Sequence, residues 1–266
     1  MKALLGDYPV TKHFKEHAPL EFADVKLPQQ AFKRVVRNLE FDVAELALVT
    51  YLLAKAHGKP YRLLPAVVTA RFQHPYLVCL KAKRVSPAQL NGKRIGQRSY
   101  SVTTAAWIRG MLKEEGVDLG SIRWVTFEEP HVAEFRDPPN VERAAPGKEI
   151  LRMLLDGEID AAIAGEIPKD ERIVPVYEDP AAAAQAWRRK HGAIQINHMV
   201  TVKDTVSGSK AQELYALLKK SREAAGNPEM NPFGLEENRR NLEVAIDCVH
   251  GQGMIPRRFT VEELFA

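Results

Sequence analysis

Apolar positions in the first third of the chain fall into short runs that alternate with stretches of helical period. Residues 2–5 form an apolar run stopped by Gly6-Asp7-Tyr8, and EFADVKL at 21–27 alternates as a strand does. Pro28 suits a first helical position, and Ala31, Val35 and Val36 recur on one face, which predicts a helix to about residue 38. Residues 41–46 return as a strand, 48–56 as a helix closed by Gly58 and Pro60, and 61–70 and 76–80 as two further strands. Arg71-Phe72-Gln73-His74-Pro75 joins that last pair. A βαβαβ rhythm of this kind predicts a mainly parallel sheet with helices on both faces.

The middle of the chain is organised around KRIGQRSYSVTTAAWIRGM at 93–111. A short β-type run leads through a polar turn into a helical pattern from about Val102. Ser101 or Thr103 is a natural N-cap, because its oxygen can accept a backbone N–H that the first turn leaves unpaired. The remaining N–H groups and the positive end of the helix dipole suit a carboxylate or phosphate, with Arg98 and Tyr100 beside them. The alternative is an ordinary strand–turn–helix corner. No glycine-rich phosphate fingerprint is present, which disfavours a nucleotide.

Beyond it the pattern predicts a strand at 122–127, an irregular acidic, proline-rich loop at 128–146 and a helix at 148–155. Strands at 159–164 and 173–177, an alanine-rich helix at 180–190 and a strand at 193–202 follow. The chain ends in helices at 211–225 and 235–249, then a short turn where Thr260 and Glu263 have capping-box spacing.

Composition narrows the class. The 266 residues are 45% hydrophobic and 27% charged, as in globular proteins that bury a real core. No apolar run approaches the ~18 residues of a membrane span. MKALLGDYPV is too short an apolar segment for a secretory signal, so the chain reads as cytoplasmic with no membrane partner. The net charge of +4 is scattered in small basic groups without interleaved aromatics, which argues against nucleic acid. Cys79 and Cys248 read as reduced, small apolar residues.

Several segments together resemble one family. FDVAELALVTYL at 41–52, RFQHPYLVC at 71–79, LNGKRIGQRSYSVTTAAWIRGML at 90–112 and INHMVTV at 196–202 are similar to 4,5-dihydroxyphthalate decarboxylase and its relatives. FGLEENRRNLEVAIDCVHGQGM near the C-terminus is similar to that family's ending. The resemblance implies an α/β, two-lobed, type II periplasmic-binding-protein-like fold with the ligand in a cleft between lobes. Lobe one would comprise residues 1–82 plus 200–266 and lobe two residues 83–199, with crossovers near 81–87 and 193–202. It also implies decarboxylation of a small hydroxylated aromatic carboxylate without a cofactor. A small-carboxylate binding or sensing protein and a chorismate-dehydratase-like lyase are the alternatives on this scaffold. Homo-oligomerisation is left open.

Such a reaction needs a carboxylate anchor, a proton donor for the ring carbon and a group that shifts the phenol's electrons. Thr103 and Thr104, with Ser101, Tyr100 and Arg98, suit the anchor. Arg71 offers a fork for a second carboxylate or forms a salt bridge. His198, on an apolar strand, is a candidate general acid or a satisfied core residue, lifted by its motif position in the family. His74 is the second candidate, or a loop residue. Glu45 falls at the C-terminal end of its strand and Asp7 just after the first strand, and the carboxyl ends of strands face ligands in open α/β sheets. Glu45 would orient a phenol, hold a histidine in its charged form, or cap the next helix. Trp107, one turn beyond Thr103, walls an aromatic ring or packs in the core. With no HxH, HExxH or CxxC, no tightly held metal is expected.

Overall fold

A computed structural model describes residues Met1–Ala266. The strands are β1 (Lys2–Leu4), β2 (Glu21–Phe22), β3 (Val43–Ala47), β4 (Tyr61–Ala70), β5 (Leu77–Leu80), β6 (Arg94–Gln97), β7 (Arg123–Thr126), β8 (Val141–Arg143), β9 (Ala161–Ile163), β10 (Ile173–Pro175) and β11 (Ile196–Lys203). The α-helices are α1 (Pro9–His17), α2 (Phe32–Asn38), α3 (Leu48–Ala56), α4 (Thr103–Glu114), α5 (Ile150–Leu155), α6 (Pro180–His191), α7 (Gly208–Ala224) and α8 (Leu235–Gly251). No helix is long and apolar enough to cross a membrane. The chain divides into two compact units, Met1–Arg71 with Ala193–Ala266, and Phe72–Gly192.

The first unit is built on a sheet ordered β2-β1-β3-β11-β4. The sheet is mixed, a departure from the mainly parallel one the rhythm predicts. β1 runs parallel to β2 and β3, but β11 enters antiparallel between β3 and β4. A strand arriving from so far along the chain leaves no mark on the local βαβ period. Val43, Leu64, Val200 and Val202 face Val10 and Phe14 of α1 and Leu214 and Leu218 of α7, forming a dry core. Each such side chain contributes roughly 1.5–3 kcal/mol on burial.

Two local predictions fail here. α1 was not expected, yet Pro9 opens it and Val10, Thr11 and Phe14 are its buried residues. Only Val10 and Phe14 are apolar side chains on its buried face, too few for the pattern to repeat. The strand expected at 21–27 shrinks to Glu21–Phe22, because beyond Ala23, whose N–H reaches Ala3, the next backbone bond turns locally from Val25 to Ala23. At the far end Thr260 and Glu263 do form the expected capping box: the Thr260 N–H donates to Glu263 Oε2 at 2.7 Å and the Glu263 N–H to Thr260 Oγ1 at 3.3 Å.

The second unit holds a six-stranded sheet ordered β10-β5-β9-β6-β7-β8. β5 bonds β9 and β10, so residues 72–82 belong with this sheet and not with lobe one as the sequence suggested. Residues 193–199 move the other way, because β11 pairs from Ile196 with Ala70. Within the expected loop at 128–146, Val141–Arg143 adds an edge strand parallel to β7. One face of the sheet is covered by α5 through Met153 and Leu154, against Val78, Val125 and Ala162. Arg109 of α4 is wholly buried. Its guanidinium donates to Gln97 Oε1 at 2.8 Å and lies 3.7 Å from the Tyr100 ring centroid, a desolvated cation–π contact of about 2 kcal/mol.

Candidate functional site

The chemistry of the first unit gathers on Glu45, the middle residue of β3. Leu4, the last residue of β1, pairs with Ala44, so Glu45 sits one step beyond that strand. The chain turning at Gly6 is thus brought to the carboxylate, and the Gly6 N–H donates to Oε2 at 2.8 Å. Tyr8 folds back and its hydroxyl donates to Oε1 at 2.7 Å. The turn is braced by Thr11, which donates to the Gly6 carbonyl at 2.7 Å and accepts from the Tyr8 N–H at 3.0 Å. Gly6 is required by this geometry: a Cβ there would lie 2.6 Å from the Tyr8 ring and hydroxyl.

From the other side comes β11. Val200 pairs with Glu45 and His198 with Ala47, so His198 is the diagonal neighbour of Glu45 on the same face, within reach of a long side chain. His198 Nδ1 lies 2.6 Å from Glu45 Oε1. Phe32 of α2 meets the imidazole edge-on at 5.3 Å. Glu45 is fully buried, whereas the His198 side chain retains 17% exposure. Its Nε2 makes no hydrogen bond to the protein.

Three donors therefore satisfy one buried carboxylate. Burial pushes the Tyr8 hydroxyl far above its ordinary pKa, and the charge and hydrogen bond of Glu45 push it further, so it remains a donor. With Nδ1 turned to the carboxylate, Nε2 is the His198 nitrogen left to face other partners. The arrangement suits proton transfer. Glu45 does not cap α3, whose N-cap is Ala47.

The other candidates make no hydrogen bond to Glu45 or His198. Asp7 is exposed and paired with Lys15. Arg71 follows β4, its N–H donating to the Gln195 carbonyl at 3.1 Å. In the second unit His74 is buried, and burial pushes its pKa down to about 4. Its ring meets Tyr177 edge-on at 5.0 Å and its Nδ1 has no hydrogen-bond partner. Burial thus holds this imidazole uncharged near neutrality. The Tyr177 hydroxyl donates to Glu115 at 2.9 Å, and burial raises that carboxyl above the usual range.

At the start of α4 the N-cap is Val102, without a side-chain cap, and neither Ser101 nor Thr103 takes that place. Ser101 is buried with its hydroxyl 3.4 Å from that of Ser99, Thr103 is buried and Thr104 half-buried. Arg98 lies 3.9 Å from Glu128. Tyr100 is buried, stacked on Phe135 and edge-on to Trp124, and Trp107 packs edge-on to Trp187. The residues that sequence reasoning missed are Gly6, Tyr8, Gln97 and Arg109. A tyrosine two residues after a glycine at a strand end was the one available signal for the first pair.

No family profile matches the sequence. A 4,5-dihydroxyphthalate decarboxylase from Comamonas testosteroni is 32% identical over 195 residues, covering 68% of this chain and 59% of that protein. Another of the same name from Pseudomonas putida is 31% identical over 177 residues, covering 61% of this chain and 69% of the relative. The chain thus spans less than two thirds of the Comamonas protein. Among solved structures, the alkanesulfonate-binding protein SsuA from Xanthomonas axonopodis pv. citri aligns with a TM-score of 0.58 at 13% identity, covering 99% of this chain and 96% of that one. The aliphatic sulphonate binding protein SsuA of Escherichia coli aligns with a TM-score of 0.55 at 11% identity, covering 100% and 96%. The fold is that of the periplasmic binding proteins.

Proposed function

The chain belongs to the 4,5-dihydroxyphthalate decarboxylase family, and from that premise we propose that it is a carboxy-lyase acting without a cofactor on a small hydroxylated aromatic carboxylate. The observation that carries the proposal is the 2.6 Å pairing of His198 with the fully buried Glu45.

In this reading the His198 imidazolium delivers its Nε2 proton to the ring carbon that bears the carboxylate. A ring π pair, pushed by the phenol oxygen, forms the new C–H bond. The C–C bond to the carboxylate then breaks, its electron pair restores the aromatic ring, and CO2 leaves. Neutral imidazole remains and takes a proton from solvent. Glu45 stabilises the imidazolium before transfer, and Tyr8 and Gly6 hold the carboxylate in place. Independently of that cluster, the first turn of α4, with Ser101, Thr103 and Thr104, suits a carboxylate, because its N–H groups and the helix dipole favour an anion. Arg71 and Arg98 are further anchors in the same proposal.

The test is CO2 release from a panel of phthalates and hydroxybenzoates. At least one should be turned over, and His198→Asn should lower turnover by roughly 10²–10⁴ while ligand still binds, the usual size of general acid–base assistance. Near-normal turnover in that variant removes His198 from the role. Binding of these acids with no turnover by the wild type favours a solute-binding protein.

A further inference from the structure

One group of potential ligands takes no part in the cluster around Glu45. The segment His13-Phe14-Lys15-Glu16-His17 forms the last turns of α1. Phe14 is buried in the core, whereas His13, Glu16 and His17 occupy i, i+3 and i+4 and share one helix face. His13 is half-buried and the other two are exposed. A ligand atom from each lies within 4.8 Å of the others.

Two features prepare this face for a cation. His17 Nδ1 lies 2.9 Å from the His13 carbonyl, so a proton on Nδ1 leaves Nε2 with a lone pair, as a ligating histidine requires. The two imidazole rings also stack with centroids 4.0 Å apart at 28°, which sets them side by side on this face. The donors are otherwise uncommitted: Glu16 makes no hydrogen bond or ion pair with the protein. The neighbouring Lys15 is turned away to Asp7 and to the Leu5 carbonyl at 3.3 Å.

We propose that His13, Glu16 and His17 form a site for a divalent transition cation of the zinc type. Two imidazole nitrogens and one carboxylate oxygen are borderline ligands that suit zinc. A tetrahedral shell with bonds of about 2.0–2.1 Å needs donors roughly 3.3 Å apart. The side chains must close by up to about 1.5 Å from the present spacing, which side-chain rotation permits. Water fills the fourth position. The HxxEH order places the carboxylate between the two histidines on the ligating face, so a search for HExxH passes over it. A bound cation would staple the end of the helix whose N-cap is Tyr8.

The site shares no residue with Glu45, Tyr8 or His198, so it stands or falls apart from the decarboxylase proposal. The test is calorimetric titration of the metal-stripped full chain with zinc chloride at neutral pH, with melting measured alongside. One equivalent should bind, and the melting temperature should rise and return on adding EDTA. His13→Asn and His17→Asn should each abolish that one-equivalent binding with unchanged far-UV circular dichroism. Glu16→Gln should weaken it, and His57→Asn, an exposed control, should leave it intact. No zinc binding by the wild type overturns the proposal, as does binding that persists unchanged in both histidine variants.

Discussion

Glu45 has no exposure and its one ion-pair partner is a histidine, so neutral donors have to carry part of its stabilisation. Removing one donor from a buried acceptor costs about 1–3 kcal/mol, and more where the acceptor is charged. Tyr8→Phe should therefore lower stability by that amount in urea denaturation and reduce turnover with it. Gly6→Ala should have a similar cost by a different route, because its Cβ would meet the Tyr8 hydroxyl at 2.6 Å and force it off Glu45. In a Tyr8→Leu background most of the Gly6→Ala cost should disappear. Equal costs in both backgrounds would show that the glycine is not there for the tyrosine. His74 makes a prediction in pH. Its pKa falls from 6.5 to about 4 on folding, so the folded state resists a proton that the unfolded chain accepts. Above pH 6.5 both states are neutral and nothing is lost. Between pH 6.5 and about 4 the unfolded state alone is protonated, and stability should drop by about 3 kcal/mol. His74→Gln should lack that component, so its stability deficit relative to wild type should narrow by the same amount over this range. A deficit that stays constant with pH would show that His74 is not held neutral by the fold.

Elements differ in how legibly the sequence carries them. β4 and β11 show their strand character, and α7 and α8 their helical period, because each is long enough to repeat its pattern against a core. α1 fails that criterion with nine residues and three of them buried. The site was legible in part and for the same reason. Glu45 and His198 each stood out as a polar group on an apolar strand. Their diagonal placement depends on β11 lying antiparallel to β3 across 153 residues of separation, and no local pattern encodes that register. Tyr8 and Arg109 were silent because a polar turn and a helical arginine look like surface. The α4 end carries a prediction at this scale. Val102 is the N-cap, and its side chain makes no cap hydrogen bond. Replacing both Thr103 and Thr104 with valine, nearly isosteric, should weaken aromatic carboxylates by about 1–3 kcal/mol through lost charge-assisted bonds. Calorimetry on a variant with unchanged circular dichroism is the check, and unchanged affinity would place the anchor elsewhere.

At the scale of the whole molecule, the second unit is an uninterrupted excursion within the first. Every strand of the β2-β1-β3-β11-β4 sheet comes from residues 1–71 or 193–266, and every strand of the other sheet from residues 72–192. The two points where the chain leaves and returns are already adjacent, since Ala70 pairs with Ile196 and the Arg71 N–H donates to the Gln195 carbonyl at 3.1 Å. A chain in which 72–192 is replaced by a few glycine and serine residues should therefore fold cooperatively, because the link closes a gap that the sheet already holds shut. It should also keep the bond between His198 and Glu45, visible as a strongly downfield imidazole N–H proton resonance. A chain ending at residue 71 should not fold, because it lacks β11, and without that strand β3 and β4 have no hydrogen-bonding partner between them. If the joined chain is molten while residues 72–192 fold alone, the first sheet depends on more than its own strands. If both fold, the bond between His198 and Glu45 is a property of one unit, set by the register of β11 on β3 alone.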